Sequence, residues 1–173
     1  MLRVTAAGGA VHRAPADIPG IGRFAVVADP HGATIILFRG SSDQEPVAAA
    51  PGTPGHIGWH ELQAGNGESA FAFYSGLFGW TKVEGIDMRA MGVYQIFAIG
   101  GAPVGGMMTK MPDTPAPFWL YYFNVDAIDA ATARATDGGG KVINGPMQVP
   151  GGSWVVQCTD PQGAMFAMVG TKR

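Results

Sequence analysis

The chain has 173 residues, of which 47% are hydrophobic and only 14% are charged, and its formal net charge is −2. This length suits one well-cored domain with room for a further fragment. Nucleic acid is not an expected partner, because phosphate recognition relies on clustered Lys and Arg and the 11 basic residues are scattered. Nor is a membrane, because no apolar run approaches the roughly 20 residues of a spanning helix.

The only cysteine, Cys158, lies in the apolar stretch WVVQCTDP, so we expect a buried structural thiol. The amino-terminal residues, MLRVTAAGG, lack the charged start and the long apolar core of a secretion signal. Together these features favour a cytoplasmic protein.

The first 40 residues contain a pentapeptide, DPHGA at 29–33, that returns as DPQGA at 160–164. Sliding residues 1–39 onto 132–170 needs no gap and gives 12 identities, most of them at Gly and Pro. Turn-forming residues that stay in step over this length indicate a duplicated structural unit. Within it, Asp-Pro-x-Gly predicts a tight turn between two strands, with a structural role.

Residues 41–55, SSDQEPVAAAPGTPG, have the composition of a linker. After it, HIGWHELQ predicts a strand, and ESAFAFYSGLFGW predicts an amphipathic helix that ends at Gly79. The segments TKVEGIDM, GVYQIFAIGG and APVGGMMTK predict three more strands. Residues 56–112 are therefore predicted to form a βαβββ module.

Residues 113–173 repeat this order of elements. FWLYYFNV predicts a strand, DAIDAATARATDGGG a helix, and KVINGPMQV, GSWVVQCTD and GAMFAMVGT three further strands. Residues 1–40 match only the helix end and the last three strands of this module. They are therefore predicted to be the C-terminal part of a third βαβββ module.

Two consecutive βαβββ blocks, with WHEL and FAFYSGLFGW in the first and DPQGAMFAM closing the second, resemble the vicinal oxygen chelate superfamily. That superfamily includes glyoxalase I, extradiol dioxygenases and bleomycin-resistance proteins. The resemblance implies an α+β fold in which paired modules form a curved eight-stranded sheet around a cavity. A partial third module would precede it, as in tandem-domain members that carry four modules.

Enzymes of this superfamily usually bind one divalent ion through His, Gln or Glu side chains on the first and last strands of the modules. Carried over to this chain, those positions fall at Trp59, near Leu120, between Val104 and Gly106, and near Ala167. None of these side chains is a metal ligand, and a one-residue shift would bring in only His60. We therefore expect no metal and no other cofactor, with a divalent ion as the alternative.

The resemblance also implies which side chains face the cavity. If Trp59 points inward, strand alternation places Glu61 and Gln63 on the same side. The same rule applied to the next module, with one further aromatic side chain from a later strand, adds Leu120, Tyr122, Asn124 and Trp154. An apolar lining with few polar groups is typical of a small-molecule pocket, although these residues could equally fill a core.

Glu61 is the candidate catalytic residue. Desolvation would raise the pKa of a carboxylate on an apolar inner face unless it is paired, and such a group can act as a general base. Alternatively, Glu61 is a structural acceptor of hydrogen bonds from the backbone or from Gln63.

Three functions follow as hypotheses. The first is a metal-free protein that binds a small, largely apolar or aromatic molecule, as the resemblance to the bleomycin-resistance branch implies. The second is a metal-dependent lyase or dioxygenase of the glyoxalase or extradiol type. The third is an oligomeric interaction module without a ligand. Whether a reaction is catalysed stays open.

Residues 1–40 would supply three strands without a first strand, which leaves a sheet edge and an apolar face open. We predict that two chains meet through this segment to form a homodimer, or that it packs on the complete domain of a partner. A third possibility is that Met1 is internal to a longer four-module protein.

Overall fold

The computed structural model describes residues 1–42 and 47–173, so residues 43–46 of the predicted linker lie outside the described part. In chain order the elements are α1 (Leu2–Ala6), β1 (Ala10–Ile18), β2 (Gly22–Ala28), β3 (Thr34–Gly40), β4 (Ile57–Ala64), α2 (Gly67–Phe78), β5 (Thr81–Asp87), a 3-10 turn (Arg89–Met91), β6 (Val93–Ile99), β7 (Ala102–Thr109), β8 (Phe118–Asn124), α3 (Ile128–Asp137), β9 (Lys141–Gln148), β10 (Trp154–Thr159) and β11 (Met165–Gly170).

Two sheets contain these strands. Eight strands form a mixed sheet in the order β5-β6-β7-β4-β8-β11-β10-β9, and β1-β2-β3 form a three-stranded sheet. Hairpin neighbours such as β10 and β11 are antiparallel, whereas β11 runs parallel to β8. The predicted α+β class and the βαβββ order of elements, β4-α2-β5-β6-β7 and β8-α3-β9-β10-β11, are confirmed.

The duplication seen in the sequence is preserved in three dimensions. At an offset of 131 residues, α1, β1, β2 and β3 coincide with the end of α3 and with β9, β10 and β11. In each turn the aspartate carboxylate accepts hydrogen bonds from the amides two and four residues ahead, at 2.9 and 2.9 Å for Asp29 and at 2.9 and 2.8 Å for Asp160. Gly32 and Gly163 supply the positive φ, 101° and 92°.

Local signals set the ends of helix α2. The Asn66 side chain caps the amino terminus by accepting a hydrogen bond from the Ser69 amide at 2.9 Å. Gly79 ends the helix in the left-handed conformation, with φ 73°, and its amide donates to the Ser75 carbonyl at 2.8 Å. The helix ends at Gly79 as the sequence predicts, and it begins at Gly67, one residue before the predicted start.

Contacts divide the chain into two compact units, and the first comprises Met1–Val47 and Leu62–Trp119. Its core joins one face of the three-stranded sheet to α2. Asp29, only 2% exposed, contacts the Tyr74 hydroxyl at 3.4 Å, and the Trp119 indole donates to the same hydroxyl at 3.3 Å. The buried core residues are Val4, Val27, Ala33, Leu62, Ala64, Ala70, Phe73, Tyr74, Phe97 and Met107.

This packing differs from the expectation that residues 1–40 need another chain to cover their apolar surface. Helix α2 of the same chain already covers the face that carries Ile35 and Leu37. The approach is close at Gly9, where an added Cβ would lie 2.9 Å from the Phe73 ring. Each large side chain buried there contributes about 1.5–3 kcal/mol.

The second unit comprises Ala48–Glu61 and Leu120–Arg173. Helix α3 covers a smaller core made of Ile128, Ala131, Val156, Cys158 and Met168. The prediction of a buried thiol is confirmed, and burial raises the pKa of Cys158. Within the described ranges, no helix is long and apolar enough to cross a membrane.

Candidate functional site

The candidate site lies in the second unit, where strands β4 and β8 bring Glu61 and Tyr122 together. The Tyr122 hydroxyl donates a hydrogen bond to Glu61 Oε2 at 3.0 Å. Both residues are buried, with 7% and 4% of their surface exposed. A charged acceptor and a hydroxyl donor screened from water form one of the stronger classes of protein hydrogen bond.

Two further polar side chains extend this contact across the sheet. The Gln157 amide donates to the Tyr122 hydroxyl at 2.8 Å, and the Asn144 amide lies 3.5 Å from Gln157 Oε1. Glu61, Tyr122, Gln157 and Asn144 form what we call the polar row.

A small residue permits this row. Ala167 on β11 pairs with Tyr122 on one side and with Gln157 on the other, and it is fully buried. Because the Ala167 methyl group is short, the Gln157 amide can reach across β11 to the Tyr122 hydroxyl. A larger side chain at this position would separate the two partners.

Burial and the negative charge of Glu61 raise the pKa of Tyr122 above its ordinary value of 10. The phenol is therefore protonated at neutral pH and acts as the donor in its contact with Glu61. The same hydroxyl oxygen accepts the bond from Gln157, so both sides of the group are used.

Apolar side chains flank the polar row on the same face. Strand alternation places Trp59 beside Glu61 on β4, and Leu120 beside Tyr122 on β8. Leu120 is buried, with 1% exposed, whereas Trp59 is half-buried.

Asn124, another predicted ligand-binding residue, lies at the end of β8. Its side-chain amide lies against the backbone of Gly58, where an added Cβ would overlap it. Asn124 is half-buried and lines a groove of about 340 Å³, together with aromatic and charged side chains such as Phe123, Phe166 and Arg134. This groove lies on the α3 side of the sheet, because Phe166 and Met168 pack in the α3 core and alternate with Ala167 along β11, so it does not open onto the polar row.

One predicted residue, Trp154, is not brought into this group. Trp154 packs against the α3 core, and the Arg173 guanidinium lies 5.0 Å from the centre of its ring. Gln63 is half-buried and belongs to the first compact unit.

Gln157 and Asn144 are not among the site residues predicted from the sequence. The available signal was local, because Gln157 interrupts the otherwise apolar run WVVQC of β10 and alternates with the core residues Val156 and Cys158. Its contact with Tyr122 joins residues 35 positions apart. Only the strand order and register disclose that proximity.

The residues of this face do not fit a divalent ion. Across residues 1–42 and 47–173, no group of three or more His, Cys, Asp or Glu side chains could hold one. Glu61 is the carboxylate of the polar row, and it already accepts a hydrogen bond from Tyr122. Trp59, Leu120 and Ala167, at the positions implied by the resemblance, offer no lone pair.

The fold and the face just described define a protein built from βαβββ modules. A family model described as the Glyoxalase/Bleomycin resistance protein/Dioxygenase superfamily matches residues 54–168. The chain belongs to this superfamily, as its sequence pattern predicts.

Two relatives match 96% of this chain. One, from Mycobacterium tuberculosis, bears the name "Putative glyoxylase CFP32" and is 33% identical over 168 residues. The other, the anthracycline biosynthesis protein DauV of Streptomyces sp. strain C5, is 36% identical over 170 residues. The chain spans 63% and 59% of their respective lengths.

The Mn(II)-bound glyoxalase from Novosphingobium aromaticivorans has a similar fold. Its TM-score is 0.68 at 16% identity, and the match covers 99% of this chain and 57% of that one.

Proposed function

We propose that this chain binds a small, largely apolar or aromatic molecule without a metal ion, using the face that carries the polar row. The observation that carries the proposal is the hydrogen-bonded series from Glu61 through Tyr122 to Gln157 on an otherwise apolar face. Small-molecule sites combine a large apolar surface with a few fixed polar groups, and this face has that composition.

The roles within the face follow from exposure. Trp59, Asn124 and Gln157 are half-buried and can contact a ligand, whereas Glu61 and Tyr122 are almost fully buried. Under this proposal the indole supplies stacking surface and the two amides supply hydrogen bonds. Glu61 acts as a positioning residue, because its carboxylate orients Tyr122 and so fixes the Gln157 amide.

The name of the relative DauV suggests a first ligand to try. A polycyclic aromatic compound of the anthracycline type offers flat apolar surface together with hydroxyl and carbonyl groups. Those features match an indole beside fixed amides.

The test is a binding titration with an anthracycline and with a panel of simple phenols. Fluorescence and thermal shift of the protein detect binding. Gln157→Leu removes the half-buried amide and should weaken binding about three- to tenfold, which corresponds to one hydrogen bond of about 0.5–1.5 kcal/mol. Gln162→Leu, an exposed turn position in the same unit, is the matched control and should bind like the wild type.

The second candidate is a metal-dependent lyase or dioxygenase, which the name of the M. tuberculosis relative favours. Elemental analysis of the purified protein, before and after loading with Ni²⁺, Fe²⁺, Mn²⁺ or Zn²⁺, separates the two. One tightly held ion per chain would replace our proposal with the enzyme. Absence of binding across the whole aromatic panel would leave the third hypothesis, an interaction module.

A further inference from the structure

Gly106, in the middle of strand β7, holds the aromatic ring of Tyr94 against its backbone. An added Cβ at Gly106 would overlap three atoms of that side chain, namely Cε1, Cζ and the hydroxyl oxygen. Gly106 does not have the positive φ that many other glycines of the chain adopt. Because glycine weakens the interior of a strand, its presence here is explained by the close approach of the ring.

The Tyr94 ring lies on the face of the sheet that is turned away from helix α2. Phe97 and Met107 belong to the core that α2 covers. Ile96 and Gly106, which pair with each other, are their neighbours in the sequence, so strand alternation directs both to the opposite face. Tyr94 comes two residues before Ile96, within diagonal reach of Gly106 on that face.

The next module has a small residue at the equivalent position. Adding 61 to the paired positions 96 and 106 gives 157 and 167, and Gln157 and Ala167 pair in the same way. Ala167 is short, and the Gln157 amide crosses it to reach the Tyr122 hydroxyl. In both modules a small residue on the last strand therefore leaves room for a side chain from the strand before it.

Tyr94 is suited to contact a ligand. It is half-buried, so part of its ring is accessible although Gly106 fixes its position. Its neighbours on this face are apolar, because Ile96 is half-buried and Met108 is 7% exposed. A tyrosine ring offers a large contact area with few rotatable bonds, and holding it in place before binding lowers the entropy cost of association.

We infer that Tyr94 is a specificity-determining residue that contacts an aromatic ring of the ligand, and that Gly106 is the positioning residue that keeps Tyr94 in place. This role rests on the proposed function, since it adds a contact for the same class of ligand. A flat aromatic molecule is complementary to the Tyr94 ring, because aromatic rings stack or meet edge to face. The preference for aromatic ligands is thereby assigned to the ring of Tyr94 and not to its hydroxyl group.

The test measures the dissociation constant of 1-naphthol, a flat aromatic alcohol, by titration of the backbone amide signals in nuclear magnetic resonance. Tyr94→Leu keeps apolar bulk but removes the ring, and it should weaken binding about three- to tenfold, the range of one aromatic pair. Tyr94→Phe restores the ring and should recover the wild-type constant within about twofold. Tyr121→Leu is the matched control, because Tyr121 is 39% exposed and alternates with Tyr122; it should bind like the wild type.

Gly106→Ala separates positioning from a merely structural role. The added methyl group should displace the Tyr94 ring and weaken the binding of 1-naphthol as much as Tyr94→Leu does. In the Tyr94→Leu background the same change should have no further effect, because leucine lacks the three overlapped atoms. Circular dichroism checks that every variant is folded.

Three results would each overturn the inference: a wild type that does not bind 1-naphthol at about 1 mM, a Tyr94→Leu variant that binds as tightly as the wild type, or an equal loss from Gly106→Ala in both backgrounds. The proposed function has its own readout in the anthracycline titration of Gln157→Leu. Weakened binding in Gln157→Leu together with unchanged binding in Tyr94→Leu would remove the role of Tyr94 and retain the proposed function.

Discussion

Removing the Glu61 carboxylate tests how much the polar row contributes to stability. Glu61→Leu keeps a side chain of similar length but removes the acceptor of the Tyr122 hydroxyl. The bond is 3.0 Å long and both residues are buried, so water cannot take the place of the carboxylate. Hydrogen bonds to charged groups contribute about 1.5–3 kcal/mol, and we expect the free energy of unfolding to fall by about 2 kcal/mol.

A double-mutant cycle isolates the contact itself. Tyr122→Phe removes the hydroxyl, and the coupling energy between Glu61→Leu and Tyr122→Phe should be about 1–2 kcal/mol, because the second change has less to remove once the first is made. The free energies come from urea unfolding followed by circular dichroism. Glu84→Gln, an exposed carboxylate on β5, is the control and should change stability by less than about 0.5 kcal/mol.

Additive effects of Glu61→Leu and Tyr122→Phe on the free energy of unfolding would contradict this prediction. If the two changes sum within about 0.3–0.5 kcal/mol, Glu61 and Tyr122 do not depend on each other energetically. The 3.0 Å contact would then not be what fixes the row. The assignment of Glu61 as a positioning residue would fall with it.

Three further outcomes are expected. Gly58→Ala should destabilise the fold by about 1–3 kcal/mol, because the new methyl group overlaps the side-chain amide of Asn124. Gly76→Ala, on the open face of α2, should be neutral or stabilising by up to about 1 kcal/mol. Thermal unfolding measures both changes. Asp29→Ala should lower the free energy of unfolding in urea by about 3 kcal/mol, and Asp160→Ala should lower it by about 1 kcal/mol. The two turns are equivalent, but only the Asp29 carboxylate is buried and contacts a tyrosine. Equal losses would contradict this expectation. The pKa of Tyr122 is higher in the folded state than its ordinary value of 10, so the folded protein holds the phenol proton more tightly. The stability gained is fully present below pH 10 and is lost as the pH rises through the folded-state pKa. The difference in stability between the wild type and Tyr122→Phe should therefore shrink above pH 10.

Much of the fold could be predicted because its signals are local. The glycines and prolines that repeat at the 131-residue offset mark the turns, and Gly79 marks the end of α2. Each of these residues acts on a backbone conformation within a few positions of itself. The order and type of elements therefore followed from the sequence, whereas the module boundaries at 56–112 and 113–173 stay predictions.

The contacts of the candidate site join residues that are far apart in the sequence, and no local sequence signal indicates such contacts. Alternation from Trp59 places Glu61 on the same side of β4, but it could not show that Tyr122, 61 positions later, comes within hydrogen-bonding distance of Glu61. Trp154 was predicted to bind the ligand but lies elsewhere. Its aromatic character suggested a ligand wall, yet its position on β10 alternates with Gln157, which places it with the α3 core instead.

The small side chain of Ala167 has a structural consequence on this face. Near Ala167 the family resemblance implies a metal-ligand position, and in this chain the side chain there is a methyl group short enough for Gln157 to reach Tyr122. The row from Glu61 to Asn144 therefore depends on the small residue between its members. Ala167→Leu should break the polar row and raise the exposure of the Gln157 amide to solvent. Nuclear magnetic resonance of the Gln157 side-chain NH₂ group can follow this change. An unchanged amide signal would show that the row does not depend on a small residue at position 167.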